Sequence, residues 1–139
     1  LRIGIISVFP NMLPLGVAAA WMVFSDQPLE IVSVCSFTIC LGIAVDDTIH
    51  FLSRYVEELR DEPNQLKAIE KSFEAVGTGM IMTTIVLVAG YSSVLLSETR
   101  DHRVFASLGI ITLIAALVCD VVLLPPLLAT FDRRRTAAE

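Results

Sequence analysis

Charged residues are scarce in this sequence. They make up 18% of its 139 residues, while 55% are hydrophobic; a typical soluble domain has about 25% charged residues. Aromatic residues are also few, at 7%, and no basic run alternates with them. That pattern excludes a nucleic-acid-binding module. The same composition excludes a disordered tail and a collagen-like fibre.

Cysteine is rare and poorly placed for disulfides. Only Cys35, Cys40 and Cys119 occur, each inside an apolar run. An odd number in such places indicates packed thiols rather than a disulfide framework. No basic stretch followed by a short apolar run and a small-residue cleavage site marks a signal peptide. Because residue 1 is Leu, we expect an excerpt of a longer chain or a processed product.

Long apolar runs dominate what is present. Four stand out, at residues 5–24, 31–53, 76–96 and 104–131. Each has about 20 residues or more, which at about 1.5 Å per residue crosses a hydrocarbon core of about 30 Å. Between residues 32 and 42 the only polar side chains are Ser and Thr, which a membrane helix tolerates. We therefore predict an all-α membrane protein with a four-helix transmembrane bundle.

Prolines and glycines punctuate these runs. Pro10 and Pro14 each remove a backbone donor, so the first helix is predicted either to start near Pro10 or to bend there. Asn11 between them suits a turn, and the pair at 125–126 is predicted to bend or end the fourth helix. Glycines in the helices are predicted to be points of close helix contact or, alternatively, of flexing during a transport cycle: Gly42, Gly77, Gly79, Gly90 and Gly109.

The stretch 54–75 between the second and third runs is polar. Pro63 and Asn64 interrupt it, and an apolar stripe then recurs at spacings of three and four residues, at Leu66, Ile69, Phe73 and Val76. This spacing predicts an amphipathic helix lying along the membrane surface.

Basic residues indicate the orientation in the membrane. One side would carry eight of the ten Lys and Arg residues, namely Arg2, those of stretch 54–75 and those at 133–135. By the positive-inside rule this side, with the link 54–75 and the C-terminus, is predicted to be cytoplasmic. Aromatic residues are predicted to mark the two interfaces, with Trp21, Tyr91 and Phe105 outside and Tyr55 inside.

Three carboxyl groups lie inside apolar runs, at Asp46, Asp47 and Asp120. A carboxylate at membrane depth costs about 2.5–3.5 kcal/mol, so these groups are predicted to face protein or a water-filled gap and to bind protons readily. Asp46 and Asp47 are adjacent, so their titrations would be coupled. His50 lies on the same helix face, where it could share or pass a proton. Thr83 and Thr84 are further polar groups at similar depth.

The three acids are compatible with roles other than proton relay. Polar residues also hold membrane helices together, for about 0.6 kcal/mol each, and for Asp120 alone the structural and functional roles are equally compatible with the sequence. A dimetal site needs more carboxylates than are present. An intramembrane aspartyl protease would need a flanking substrate gate, and a Ser hydrolase needs a strand–turn–helix elbow. We predict neither an enzyme nor a bound cofactor or metal.

Residues 42–55 read GIAVDDTIHFLSRY. This segment resembles the GxxxDD signature of the resistance–nodulation–division (RND) superfamily, and is most similar to its MMPL and Patched-like lipid-exporting branch. Further stretches resemble that family in the same order along the chain, at 10–14, 68–77, 83–91 and 123–128. DDTIHF and the charged residues 132–135 resemble the C-terminal half of such transporters, whose two halves have six spans each.

The resemblance implies the last four spans of a proton-motive-force-driven exporter of lipids or other hydrophobic compounds in the bacterial inner membrane. It implies proton relay at Asp46 and Asp47, with Thr83 and Thr84 on the helix packed against them. The implied partners are the remaining half and outer porter domains, membrane lipid, a hydrophobic substrate and protons; a homo-oligomer is compatible, nucleic acid is not.

Two alternatives to an exporter stay open at this point. The Patched-like branch also contains sterol-sensing domains, so a lipid-binding regulatory module without ion coupling is the first. A subunit that serves only assembly is the second. The doubled carboxylate at 46–47 favours the exporter, because lipid sensing does not require it.

Overall fold

The computed structural model describes residues 2–61 and 64–131. They form six α-helices, in the order α1 Arg2–Phe24, α2 Ile31–Asp61, α3 Gln65–Ser72, α4 Thr78–Val94, α5 Arg100–Val122 and α6 Leu124–Phe131. A π-helical turn, Phe73–Gly77, joins α3 to α4 without a break. The predicted all-α membrane fold is confirmed. The basic residues 133–135, predicted to anchor the topology, lie outside the described residues.

Three helical stretches are long and apolar enough to cross a membrane, Ile31–Asp61, Gln65–Val94 and Arg100–Thr130. Among the described residues, Pro10–Phe24 is a shorter apolar helix and forms the C-terminal part of α1. Large apolar side chains are exposed on the outward faces of the bundle, including Val23, Phe24, Ile31 and Val86. Such faces suit a lipid environment, because hydrocarbon tails are as apolar as these side chains.

Helix α1 runs through both of its prolines. Pro10 and Pro14 are fully buried, and the alternative in which the helix begins near Pro10 is wrong. The turn predicted at Asn11 is also wrong, since Asn11 lies inside the helix and is buried. The physical reason is that membrane helices tolerate proline where neighbouring elements cover the interrupted backbone.

The short link between α1 and α2 begins with a Schellman ending. Asp26 adopts a left-handed conformation with φ of 50°. The Asp26 and Gln27 N–H groups donate to the carbonyls of Val23 and Met22, at 3.3 and 3.0 Å, which satisfies carbonyls at the end of α1. The Gln27 side chain then accepts a 2.9 Å hydrogen bond from Arg100, so the link is fixed to the start of α5.

Helices α2 and α5 pack closely through small side chains. The buried residues of α2 recur every three or four positions, at Ser33, Ser36, Cys40, Ala44, Thr48, Phe51 and Tyr55. The buried residues of α5 that face α2 are also small and include Ala106, Gly109 and Ala116. The Ser36 hydroxyl donates to the Phe105 carbonyl at 3.2 Å. Small residues of this kind let membrane helices approach each other closely.

An apolar cluster closes each end of the bundle. At one end Phe51 and Tyr55 of α2 pack with residues of α3, α4 and α6, and at the other Ala18 and Met22 of α1 pack with Leu108 of α5. Tyr55 is fully buried in the first cluster. Its place near the inner interface stays a prediction, whereas within this chain its ring packs with residues of α3 and α6.

Helix α3 is the amphipathic segment of the link. Asn64 caps it by accepting a hydrogen bond from the Leu66 N–H at 3.1 Å, and Gln65 donates to the Leu128 carbonyl of α6 at 2.8 Å. Ile69 is buried, whereas Leu66 of the predicted stripe is 68% exposed. Because the π-helical turn carries α3 directly into α4, α3 is the first part of one continuous helix whose apolar side contacts α2.

The predicted bend in the fourth run is confirmed, since α5 ends at Val122 and α6 begins at Leu124. Pro125 and Pro126 lie in the first turn of α6. Neither has the N–H group that would continue the hydrogen bonding of α5, whereas the first turn of a helix needs no such donor.

Only one of the five predicted glycine contacts is very close. A Cβ placed on Gly109 would lie 2.4 Å from the Tyr91 ring, one on Gly77 would lie 3.4 Å from Phe73, and one on Gly42, Gly79 or Gly90 would meet nothing within 4 Å. The close packing of α4 on α5 therefore requires a residue without a side chain at position 109. Within this chain, the prediction of close contact is wrong for Gly42, Gly79 and Gly90.

We expect Gly109→Ala to lower the stability of the protein by about 1–3 kcal/mol, the usual cost of overpacking. The Tyr91 ring that the new methyl group would strike is stacked on Phe105 at 5.5 Å between centroids. The measurement is the thermal unfolding midpoint of the purified protein in detergent. Gly90→Ala is the matched control, because a Cβ there meets nothing within 4 Å. Since Ala is the better helix former, this variant should unfold at or slightly above the wild-type temperature. An unchanged midpoint for Gly109→Ala would contradict the assigned packing.

Candidate functional site

Asp46 and His50 lie on the outward face of α2. Their side chains are 72% and 70% exposed, and His50 Nε2 is 3.7 Å from Asp46 Oδ1. The pairing that the i, i+4 spacing suggests is therefore present as a loose contact. Within the described part of the chain no helix covers this face. The carboxyl group and the imidazole therefore project outward from the middle of a helix long enough to span a membrane.

Asp47 faces a different direction from Asp46. Adjacent residues on a helix are about 100° apart, and this turns Asp47 toward the bundle, where it is half-buried. Asp47 interacts electrostatically with Asp46 and His50 on one side and with Asp120 on the other.

Asp120 lies inside the bundle, where the Thr48 hydroxyl is its hydrogen-bond partner. Its side chain is 2% exposed, as against 7% for Asn11 and 1% for Thr48. The Thr48 hydroxyl oxygen is 3.1 Å from Asp120 Oδ1, 3.0 Å from Asn11 Oδ1 and 2.9 Å from the carbonyl oxygen of Ala44. We call Asn11, Thr48 and Asp120 the buried polar cluster; it joins α1, α2 and α5.

A groove of about 410 Å³ runs between α1 and α2. Its lining is mostly apolar and includes Met12, Val45 and Ile49. Asn11 and Thr48 are part of the same lining, so the groove leads from the surface of the bundle to the buried polar cluster. Its volume lies within the range of about 300–1,000 Å³ typical of small-molecule sites.

Thr83 and Thr84 are not brought to the acids within the described residues. Both hydroxyls donate to the Met80 carbonyl of their own helix, at 3.0 and 2.9 Å. Thr83 is exposed and Thr84 is buried. Their role in proton relay stays a prediction, as do the roles of Asp46, Asp47, His50 and Asp120.

Asn11 and Thr48 are the site residues that the sequence analysis missed. The prolines on either side of Asn11 favour a turn there. Thr48 directly follows Asp47, but a single hydroxyl in a helix that also has Ser33, Ser36 and Thr38 carries little signal. The usable signal was an amide side chain inside an apolar helix, where polar groups usually bond to another helix.

Metal and disulfide chemistry have little support in the described residues. Among residues 2–61 and 64–131, no group of three or more His, Cys, Asp or Glu side chains is arranged to hold a metal ion. Cys35, Cys40 and Cys119 are free thiols. Cys40 is buried and donates to the Gly109 carbonyl at 3.9 Å, as predicted for a packed thiol. Within this chain the prediction is wrong for Cys35, which lies on the exposed side of α2.

The fold and the site together define a helical membrane domain that holds carboxyl groups inside its apolar helices. The chain belongs to the MMPL family, whose family model matches residues 5–139. Its predicted place in the RND superfamily is thereby confirmed.

Several relatives resemble the chain over most of its length. It is 31% identical to membrane protein MJ1562 of Methanocaldococcus jannaschii over 134 residues, which are 91% of this chain and 34% of that protein. It is 26% identical to the apo-petrobactin exporter of Bacillus anthracis over 113 residues, 81% of this chain and 15% of the exporter. It is 24% identical to the mycolic acid-containing lipids exporter MmpL11 of Mycolicibacterium smegmatis over 133 residues, 96% of this chain and 14% of that protein. No solved structure matches the chain.

The chain therefore spans 34% or less of the length of these relatives. Most of each relative lies outside the matched region.

We expect Thr48→Val to destabilise the protein. The change keeps the shape of the side chain but leaves Asp120 and Asn11 without this hydroxyl, and a buried polar group that loses its partner costs about 1–3 kcal/mol. Thr38→Val is the matched control on the same helix, because the Thr38 hydroxyl is exposed and bonds to the Val34 carbonyl of its own helix at 2.9 Å. Thermal unfolding in detergent compares the two variants. Equal losses would contradict a special contribution from the buried polar cluster.

Proposed function

We propose that this chain is the membrane-embedded part of a proton-motive-force-driven exporter of lipids or other hydrophobic compounds. The observation that carries the proposal is the graded placement of three carboxyl groups at mid-helix. Asp46 is exposed on the outward face, Asp47 is half-buried and Asp120 is buried. Such a series provides protons with successive binding sites across the thickness of the bundle.

The free-energy cost of exposing the Asp46 carboxylate to lipid supports a larger assembly. A carboxylate facing hydrocarbon costs about 2.5–3.5 kcal/mol, and the Asp46 side chain is 72% exposed in this chain. Protein or water must therefore cover this face in the membrane. We propose the remaining half of the same transporter as the cover, because the matched relatives extend far beyond this region.

Proton binding would drive transport by shifting a conformational balance. Protons enter from outside, bind at Asp46 and Asp47 and leave to the cytoplasm, and the outer domains move the substrate. A ligand shifts such a balance only through its different affinity for the two arrangements. The four spans of this region have no second half against which to move, so the region by itself is not expected to transport.

The substrate class is proposed from two relatives. One is named an exporter of mycolic acid-containing lipids and another an exporter of apo-petrobactin. Both names describe export, which supports a transporter rather than an enzyme for this chain. From the resemblance to bacterial exporters we propose a bacterial inner membrane as the location. From the distribution of basic residues we propose that residues 54–75 and the C-terminus face the cytoplasm.

The groove between α1 and α2 favours a second candidate. Its volume of about 410 Å³ and mostly apolar lining suit an acyl chain or a sterol. In this reading the chain is a sterol-sensing-like module that binds lipid and regulates a partner without ion coupling. Lipid binding that persists while export is absent, and that does not depend on a pH gradient, would favour this candidate.

We expect Asp46→Asn and Asp47→Asn, made singly in the full-length protein, each to reduce proton-coupled export at least about tenfold, because an amide cannot take up a proton at neutral pH. The assay uses proteoliposomes with an imposed pH gradient, a trapped pH-sensitive dye and a fluorescent long-chain lipid as the transported probe. Asp26→Asn, an exposed link residue with the same chemical change, is the control and should transport at the wild-type rate.

The proton proposal would be overturned by wild-type, gradient-dependent export in both variants. Export that persists after an ionophore collapses the pH gradient would overturn it as well.

A further inference from the structure

The groove between α1 and α2 lies in one half of the bundle. Along α2 its lining begins at Val45 and ends at Ser53, which is about 12 Å of helix at about 1.5 Å per residue. Thr48 is part of this lining, and its hydroxyl oxygen is 3.1 Å from Asp120 Oδ1. The groove therefore extends from the buried polar cluster toward the end of the bundle where α2 leads into α3, which we call the α3 end.

The opposite end of the bundle is closed by packed side chains. Ala18 and Met22 of α1 pack there with Leu108 of α5, and all three are buried. Ser36 and Cys40 of α2 also lie toward that end, but both donate to carbonyls of α5, at 3.2 and 3.9 Å. Among the described residues, the buried polar cluster thus adjoins an open groove toward the α3 end and packed or hydrogen-bonded groups toward the other end.

The groove has the size and the polar groups to hold water. Its volume of about 410 Å³ has room for on the order of ten water molecules, which take about 30 Å³ each. An enclosed water needs about two to four polar partners, and the lining offers Ser53 at one end and Asn11 and Thr48 at the other. An acyl chain would offer these three side chains no hydrogen bond.

The open side of the groove borders the outward face of α2. Ile49 lines the groove, is 54% exposed and directly precedes His50 of the outward pair. The cover proposed above for Asp46 would therefore also extend over the groove and separate it from the lipid tails. In that setting the groove is a channel that is closed sideways and open at the α3 end.

We propose that the groove is a water-filled path by which Asp120 exchanges protons with the membrane side at the α3 end, and that this arrangement of helices is closed toward the opposite side. The inference rests on the proposed function for its meaning in export, where the α3 side is the cytoplasm and the path is the proton exit. The presence of water in the groove and the side from which it enters are testable without transport.

Thr48 connects the groove to Asp120, because Asp120 is 2% exposed and Thr48 both lines the groove and contacts it. A proton arriving as a hydronium ion forms an O–H bond on the Thr48 oxygen, while the original O–H bond of Thr48 breaks and its proton bonds to the Asp120 carboxylate. Release reverses these steps and returns a proton to water, so Thr48 ends unchanged. The lining side chains are not titratable, and Asp47 is the acid on α2 that interacts electrostatically with Asp120.

The first experiment tests whether the groove holds water in the full-length protein in lipid. X-rays generate hydroxyl radicals from water, and these oxidise nearby methionine to the sulfoxide, which mass spectrometry measures. Met12 lines the groove and is 50% exposed, whereas Met82 is 60% exposed on α4 and does not line it. Met82 lies at similar depth, since Met80 of the same helix packs with Phe51 of α2. We expect Met12 to be oxidised at least about tenfold faster than Met82, and the two to react equally in the unfolded protein.

The second experiment determines from which side the water enters. Ile49→Cys in the groove is compared with Ile81→Cys on α4, which is 46% exposed and does not line the groove. Cys35 and Cys119 are first replaced by alanine, and the third thiol stays because it is buried. A charged methanethiosulfonate reagent is added to one side of the vesicles, and Lys67→Cys, at an exposed position of α3, marks the α3 side. We expect Ile49→Cys to be modified from the α3 side only, and Ile81→Cys from neither side.

Three outcomes would overturn the proposal. Equal oxidation of Met12 and Met82 in the folded protein would mean that the groove is dry or filled by lipid. Modification of Ile49→Cys only from the side opposite the α3 marker would reverse the path, and modification from both sides would mean that neither end is closed. If Ile49→Cys does not fold, Ser53→Cys at the mouth of the groove takes its place with the same expectation.

Passage of the proton through Thr48 has its own test. Thr48→Val should keep the fast oxidation of Met12 but reduce proton-coupled export at least about tenfold, because valine has no hydroxyl to pass a proton, and Thr48→Ser should rescue export. Wild-type export in Thr48→Val would overturn this step. If oxidation and labelling are as expected but export does not depend on a proton gradient, the water path stands and the proposed function fails.

Discussion

A carboxyl group buried among apolar helices needs a polar partner, and the contact between Asp120 and Thr48 meets that need in this bundle. The contact is 3.1 Å long and requires α2 and α5 to approach closely. The small residues along both helices, such as Ala44 and Ala116, permit this approach. Helix α1 adds Asn11 because it continues through its two prolines. The same contacts therefore determine both the packing of these three helices and the chemistry of the site.

Helix α2 divides its acids between two environments. Asp47 turns toward the interior while Asp46 and His50 face outward, so the same helix serves both the bundle and the surface that another part of the protein must cover. This division explains why adjacent carboxylates are useful at membrane depth. A single acid would reach only one of the two environments, whereas a pair one residue apart reaches both.

The fold was largely predictable because length and hydropathy decide which segments enter a membrane. The break at Pro125 followed from missing donors in the same way. The burial of Asn11 was not predictable from its neighbours, since the local turn preference is overridden by contacts with α2. Thr48 gains its importance from side chains 37 and 72 residues away in sequence, and such tertiary placement leaves no local pattern. Gly42 shows the reverse case, where a plausible contact position meets nothing within this chain.

The π-helical turn at Phe73–Gly77 determines which faces α3 and α4 turn toward their neighbours. A π turn takes up one residue more than an α turn, which rotates everything beyond it by about 100° about the helix axis. Helix α3 can therefore point Ile69 toward α2 while α4 points Tyr91 toward Gly109 of α5. Migration of the bulge by a few residues would turn the side chains that it passes by about 100° and leave the rest of α3 and α4 in place. Side chains at this point of the helix can therefore change face without any bending of the helix.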